Sequence, residues 1–200
     1  MLALPTWAGQ KLPTTQTKEN PWVGDINSPD FYWEAAYRGS RGMRDLVHGS
    51  DRKLHTHGAD VSFVLGPDWP GDFNCNLRLG YDYGSRHWEN GGRMSMQAFT
   101  LAPGFRYNLG CLDSGNLSAF VGANAGAAAQ RLQCGGHDTA WGFAYTAELG
   151  VHYWLDAPSY EYYLFASCHI SGNTARNRIA PLGGRHRLSH GFRVGFGCAF

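Results

Sequence analysis

The amino-acid sequence predicts an all-β protein, built as one antiparallel barrel of eight up-and-down strands. Apolar side chains occupy every second position in eight segments, which is the pattern of a strand with one apolar face. The connections between these segments alternate between long and short, as they do in an up-and-down sheet. The 200 residues include 27 glycines and 14% aromatic residues but only 16% charged residues, whereas soluble proteins average ~25% charged residues.

The eight segments differ in how clearly the side chains alternate. In the last of them Phe192, Val194 and Phe196 alternate with Arg193 and glycines. The three clearest segments are 73–84, 141–153 and 192–200. The five weaker segments are 31–39, 59–65, 99–109, 117–127 and 160–171. Pro103 has no backbone N–H to give to a neighbouring strand, so we expect a bulge in the fourth strand.

The connections predict which ends of the strands lie together. Those at 40–53, 85–93, 129–139 and 172–188 are long, and those at 66–72, 110–115 and 156–159 are short. The short ones are rich in Pro, Asp, Ser and Gly, which favour tight turns. We therefore expect four long loops at one end of the barrel and tight turns at the other.

The apolar face of this barrel is predicted to point outward. Eight strands leave an interior only just wide enough for side chains to fill, so small and polar residues fit there better than many aromatic rings. An outward apolar face requires lipid, and ~9–11 tilted residues span the hydrocarbon of a membrane. Aromatic residues near the strand ends would form the interfacial girdles: Phe31, Trp33, Tyr81, Tyr83, Tyr107, Trp141, Tyr153, Tyr160 and Tyr162. The alternative is a soluble β-sandwich with aromatic inner faces.

Two stretches of sequence resemble a known family. The ending Gly191-Phe-Arg-Val-Gly-Phe-Gly-Cys-Ala-Phe200 resembles the last strand of bacterial outer-membrane β-barrels, and Leu101-Ala-Pro-Gly-Phe-Arg-Tyr-Asn-Leu109 is similar to strands of small barrels of the OmpA, OmpX and OmpW type. The resemblance implies a bacterial outer-membrane location and contact with outer-membrane lipid and lipopolysaccharide. It also implies that Phe200 is part of the signal that the barrel-assembly machinery reads.

The residues at the start of the chain predict how it is divided. Residues 1–8 resemble the end of a secretory signal peptide, because a short apolar run ends in Thr6-Trp7-Ala8, with small residues where a signal peptidase cuts. Residues 9–30 are polar, and we expect them to form a periplasmic segment. The barrel is predicted over residues 31–200.

Charged residues at inward positions predict a plugged lumen. The acids and arginines are nearly balanced, which favours salt bridges over a conducting channel lined by one sign of charge. The predicted network consists of Glu34, Arg38, Asp60, Arg78, Asp82, Arg106, Glu148 and Arg193. Glu161, His152 and His169 also fall at inward positions. A small pore remains the alternative.

The long loops are basic and are predicted to contact lipopolysaccharide or another anionic polymer. Arginine suits such ligands because its guanidinium makes bidentate contacts with phosphate. The last loop contributes Arg176, Arg178, Arg185 and Arg187. The earlier loops contribute Arg41, Arg44, Arg52, Lys53, Arg86, Arg93 and Arg131. The net charge of +1 gives no reason to expect a nucleic-acid partner.

An enzymatic alternative rests on His169 and Ser171. They resemble the His-x-Ser of outer-membrane lipid A deacylases of the PagL type, but a serine hydrolase also needs an acid to orient its histidine. No Asp or Glu follows Glu161 in the sequence, so the main prediction is a non-enzymatic protein.

Metal and cofactor sites are not predicted. His55 and His57 lack a third ligand nearby in the sequence. The five cysteines show no metal-binding spacing, and Cys75, Cys168 and Cys198 fall at outward positions. We expect a monomer.

Overall fold

The structure, a computed structural model, describes residues 31–42, 54–66, 73–87, 92–111, 117–155, 162–177 and 187–199. They form a closed barrel of eight antiparallel strands in sequence order, with β8 pairing back to β1. The strands are β1 (Phe31–Gly42), β2 (His55–Leu65), β3 (Phe73–His87), β4 (Arg93–Cys111), β5 (Leu117–Gln133), β6 (His137–Leu155), β7 (Tyr162–Asn173) and β8 (Arg187–Ala199). The predicted fold class is confirmed, and the closed barrel replaces the β-sandwich alternative. Within these ranges no helix has the length and apolar character needed to cross a membrane.

Several strands are longer than predicted and extend toward the long-loop end, past the residues whose apolar side chains alternate. β5 runs to Gln133 and β6 begins at His137, so the predicted loop at 129–139 is instead a hairpin of three residues, Cys134 to Gly136. Gly135 has φ +67°, a conformation that favours glycine at the tip of such a turn. The prediction failed here because polar residues above the apolar band still pair as strands.

The predicted bulge at Pro103 is wrong in its position. Leu77 pairs with Pro103 on one side, and the pairing of β4 with β5 keeps one register on both sides of the proline. The irregularity lies between Asn108 and Gly110. The outward-facing proline is thus accommodated without a shift in the register of β4 against either neighbouring strand.

The two faces of the barrel follow the predicted alternation. Large apolar side chains point outward, and Trp141, at 77%, is the most exposed of them. The outward thiols of Cys75 and Cys168 are exposed, whereas Cys198 is buried, in register between Trp33 and Tyr162. Tyr160 lies outside the described residues.

The expectation that small and polar residues, rather than aromatic rings, fill the interior is wrong at the tight-turn end of the barrel. Tyr32, Tyr163 and Phe165 are buried there with Val64, and Trp154 packs against them. Phe120 is also fully buried. A second apolar cluster lies at the long-loop end and consists of Leu54, Met94, Met96 and Leu132. Apolar clusters therefore lie toward both ends of the lumen, and the buried ion pairs lie between them.

Candidate functional site: the charged lumen and the long-loop rim

The central part of the lumen contains three arginines and three carboxylates, all almost completely buried. The arginines are Arg78, Arg106 and Arg193, and the carboxylates are Glu34, Asp60 and Glu148. They come from β1, β2, β3, β4, β6 and β8, and each occupies an inward position of its strand. Charges so far from water are stable only when they are paired and hydrogen-bonded.

Glu34 joins two of the arginines. Both of its carboxylate oxygens accept hydrogen bonds from Arg106, with N–O distances of 2.7 and 3.0 Å. Arg193 donates to the same carboxylate at 3.0 Å, and the Tyr163 hydroxyl donates to it at 2.9 Å. The guanidinium of Arg106 also lies 4.4 Å from the centroid of the Phe120 ring, a cation–π contact.

Arg193 is the most connected group in the lumen. Its Nε donates to both oxygens of Asp60, at 2.9 and 3.0 Å, and its Nη2 donates to Asp60 at 2.7 Å. The same Nη2 donates to the Ser62 hydroxyl at 3.1 Å. Its guanidinium packs 4.4 Å from the centroid of the Phe165 ring. Within the described strands, the hydrogen bonds that the Asp60 carboxylate accepts come from this one arginine.

Two further ion pairs complete the network. Arg78 donates to Glu148 at 2.5 Å, deep in the lumen. Arg38 donates to Asp82 through Nε at 3.0 Å and Nη2 at 2.5 Å, and this pair is partly exposed. The structure therefore pairs all eight residues predicted for the network, four acids with four arginines. Glu161 lies outside the described residues.

His152 occupies the junction between the ion-pair network and the aromatic cluster. Its ring stacks on Phe120 with centroids 4.4 Å apart, and its Nε2 lies 4.0 Å from Glu34. Within the described ranges neither ring nitrogen has a hydrogen-bond partner. The imidazole therefore acts here as a packing group.

The catalytic candidates are not arranged as a triad. His169 is buried in the lumen, and its Nε2 lies 2.9 Å from the hydroxyl of Ser40. Ser171 is hydrogen-bonded to Ser189 at 2.7 Å. His169 Nδ1 has no partner within the described ranges, so no carboxylate there orients the ring. Sequence could not show the pairing of Ser40 with His169, because they lie on strands separated by β8.

The long-loop rim is described only in part. Arg176 is exposed, and Arg187 begins β8, paired with Asn173. Arg178, Arg185 and Phe200 lie outside the described residues. Five arginines predicted to lie in loops belong to strands instead: Arg41, Arg86, Arg93, Arg131 and Arg187. The prediction was wrong for these residues, because the strands extend further toward the long-loop end than the apolar alternation does.

No group of three or more His, Cys, Asp or Glu side chains in the described part of the chain is arranged to hold a metal ion. The Nδ1 of His57 is hydrogen-bonded to the hydroxyl of Tyr37 at 2.5 Å. Of the two histidines considered in the sequence, His57 therefore has a hydrogen-bond partner on the neighbouring strand.

Comparison with known proteins finds likeness in structure alone. No family model and no curated protein matches this sequence. The structure of Neisserial surface protein A (NspA) matches with a TM-score of 0.59 at 12% identity, over 85% of this chain and 97% of that one. Ail, the attachment invasion locus protein of Yersinia pestis, in complex with the heparin analogue sucrose octasulfate, matches with a TM-score of 0.51 at 9% identity, over 86% of this chain and 99% of Ail.

The matches confirm the predicted resemblance at the level of the fold. The chain has the architecture of the small eight-stranded outer-membrane barrels. This fold and the apolar outer surface support the predicted location in a bacterial outer membrane.

Proposed function

We propose that the protein is a non-enzymatic outer-membrane barrel with a closed lumen, which acts at the cell surface by binding anionic polymers or lipopolysaccharide at its long-loop end. The observation that carries the proposal is the lumen itself. Ion pairs occupy its centre, and apolar clusters lie toward both ends of it. A lumen packed with side chains in this way favours a plugged barrel, whose outer surfaces and loops then make the specific contacts.

The long-loop end has the charge that an anionic ligand requires. Arg176 is exposed there. Arg178 and Arg185 follow it in the sequence, and Arg187 begins β8. Arginine pairs with sulfate and phosphate through two parallel N–H donors. That Ail was crystallised with a heparin analogue makes a sulfated polysaccharide a suitable first probe for this chain.

Heparin binding in detergent micelles tests the surface role. We expect the wild-type protein to bind a heparin column, with weaker binding as salt screens the contact. Neutralising Arg176, Arg178, Arg185 and Arg187 to Gln should weaken binding roughly tenfold or more, since one cation contributes ~1 kcal/mol at an anionic surface.

Changing the same four residues to Lys is the matched control, because it keeps the charge but removes the bidentate geometry. We expect this control to retain most of the binding. Equal affinity of the wild-type and the Gln variant for both heparin and lipopolysaccharide would contradict the proposed role of this loop.

Conductance in planar lipid bilayers tests the closed lumen. Because Arg193, Glu34 and Asp60 fill the channel axis, we expect no discrete current steps from the folded protein. Regular steps in its presence, abolished by heat denaturation of the sample, would favour the pore alternative.

Lipid A composition tests the absence of enzymatic activity. His169 and Ser171 both point into the lumen, away from membrane lipid, which argues against a lipid A hydrolase. We expect mass spectrometry to find unchanged lipid A acylation when the protein is expressed in an outer membrane. Loss of an acyl chain that depends on His169 would overturn the non-enzymatic proposal.

A further inference from the structure

Charge is distributed very unevenly between the two faces of the barrel wall. In the described strands every Asp and Glu points into the lumen, whereas the outward positions carry no acidic side chain, and the polar residues among them include arginines and histidines. All the outward arginines and histidines lie toward the long-loop end. They are Arg41, Arg93, Arg131, His55, His57, His87, His137 and His190. The tight-turn end carries aromatic and aliphatic groups at the corresponding outward positions.

The densest part of this distribution crosses three adjacent strands. Arg41 of β1 pairs in register with His55 of β2 on one side and with His190 of β8 on the other. All three side chains are exposed. Neighbouring strands lie ~4.8 Å apart, so the three residues span roughly 10 Å. We call Arg41, His55 and His190 the upper seam patch.

Aromatic rings lie directly below the upper seam patch. The ring of Tyr37 stacks with His57 at a centroid distance of 6.1 Å and lies 6.0 Å from the ring of Phe192. Gly39 lies between them in register, where a Cβ would come within 2.8 Å of the Phe192 ring. The apolar band ends at these rings. His190 of β8 follows Phe192 at the next outward position, and Arg41 of β1 lies one outward position beyond Gly39.

We propose that the upper seam patch is a binding site for the phosphate of a lipid headgroup in the membrane leaflet at the long-loop end. The patch lies where headgroups meet the apolar band. Arg41 supplies a bidentate donor for phosphate, and the two imidazoles supply further N–H donors. The aromatic rings below accommodate the part of the lipid that joins the headgroup to its chains. The inference rests on the proposed outer-membrane placement but not on the loop arginines.

Lipid retention measured by native mass spectrometry tests the site. The full chain in detergent micelles is titrated with dioleoyl phosphatidic acid, which has a phosphate monoester, and with dioleoyl phosphatidylcholine, which carries no net charge. We expect selective retention of phosphatidic acid. The variant Arg41→Gln/His55→Gln/His190→Gln should bind it at least fivefold more weakly, since the Arg41 cation alone contributes roughly that factor at an anionic surface.

The matched control replaces an outward arginine and an outward histidine elsewhere on the barrel. Arg131→Gln/His137→Gln changes two exposed groups on β5 and β6, and we expect less than a twofold effect on retention. An effect as large as that of the seam variant would overturn a localised site. Displacement of phosphatidic acid by millimolar inorganic phosphate would identify free phosphate as the ligand and overturn the lipid assignment.

Failure of this inference is distinguishable from failure of the proposed placement. A heat-dependent shift on a gel, recorded for each variant, shows whether the barrel has folded in detergent. If the seam variant does not fold, Arg41→Glu alone provides the test, because this side chain is exposed, and we expect the same loss of selectivity. A wild-type barrel that folds in micelles but retains both lipids equally would refute the site while leaving the placement intact.

Discussion

Removing Arg193 should destabilise the barrel far more than removing any exposed charge. The change Arg193→Met deletes its hydrogen bonds to Asp60, Glu34 and Ser62, at 2.7 to 3.1 Å. Glu34 keeps Arg106 and the Tyr163 hydroxyl as donors. The Asp60 carboxylate loses the hydrogen bonds that it accepts within the described strands, and an uncompensated buried charge costs about 3–5 kcal/mol.

The double variant Arg193→Met/Asp60→Asn isolates this cause. It removes one charge of each sign, so the remaining pairs, Arg106 with Glu34 and Arg78 with Glu148, stay balanced. Because the cost arises from the unpaired carboxylate, we expect the second substitution to restore about 2 kcal/mol or more of the loss. Asp60→Asn alone should also destabilise the protein, since Arg193 then loses one of its two strongest partners.

Equilibrium unfolding by urea in detergent micelles, followed by tryptophan fluorescence, measures these free energies. The heat-dependent gel shift confirms that each variant starts from a folded barrel. A cost below about 1 kcal/mol for Arg193→Met would refute the argument that the lumen pairs are desolvated. A double variant no more stable than Arg193→Met would refute the assignment of the cost to Asp60.

Three further predictions follow from the packing and the exposure of single residues. Arg38→Met should cost about 1–2 kcal/mol in the same urea assay, less than Arg193→Met, because its ion pair is partly exposed. Gly150→Ala should cost about 1–3 kcal/mol, since its Cβ would come within 2.5 Å of a buried phenylalanine ring, whereas Gly136→Ala, with open space around it, should change stability little. In lipid vesicles Cys75 and Cys168 should react with a lipid-soluble maleimide but not with a charged, membrane-impermeant one; labelling by the charged reagent would contradict a lipid-facing position.

The number of strands, their order and their two faces could be predicted from the sequence, because a period of two is a local property of a strand. Inward charges such as Arg106 and Glu148 follow from the same alternation. Tyr163 also occupies an inward position by parity, and only the assumption that rings do not fit the lumen prevented its prediction. The rings fit because glycines lie beside them: Gly150 makes room for the ring of Phe120, and Gly197 makes room for the ring of Tyr163.

The partners within the lumen could not be predicted. Glu34 of β1 meets Arg106 of β4 across the barrel, 72 residues apart in sequence, and such contacts depend on strand tilt and stagger rather than on alternation. The ends of the strands could not be predicted either. Arg41, Arg93 and Arg131 lie in strands on the long-loop side of the apolar band, where no apolar alternation remains. Because the strands extend this far, these arginines belong to the barrel wall, and Arg41 is one of the three residues of the upper seam patch.

Accessibility of spin labels on β3 tests most directly the central claim that the apolar face of this barrel meets lipid. Nitroxide labels at Leu77, Leu79 and His87 occupy exposed, outward positions in a barrel reconstituted into phosphatidylcholine vesicles. We expect the labels at Leu77 and Leu79 to collide with oxygen and not with a water-soluble nickel complex, and the label at His87 to collide with the nickel complex. Nickel accessibility at Leu77 and Leu79 equal to that at His87 would contradict that claim.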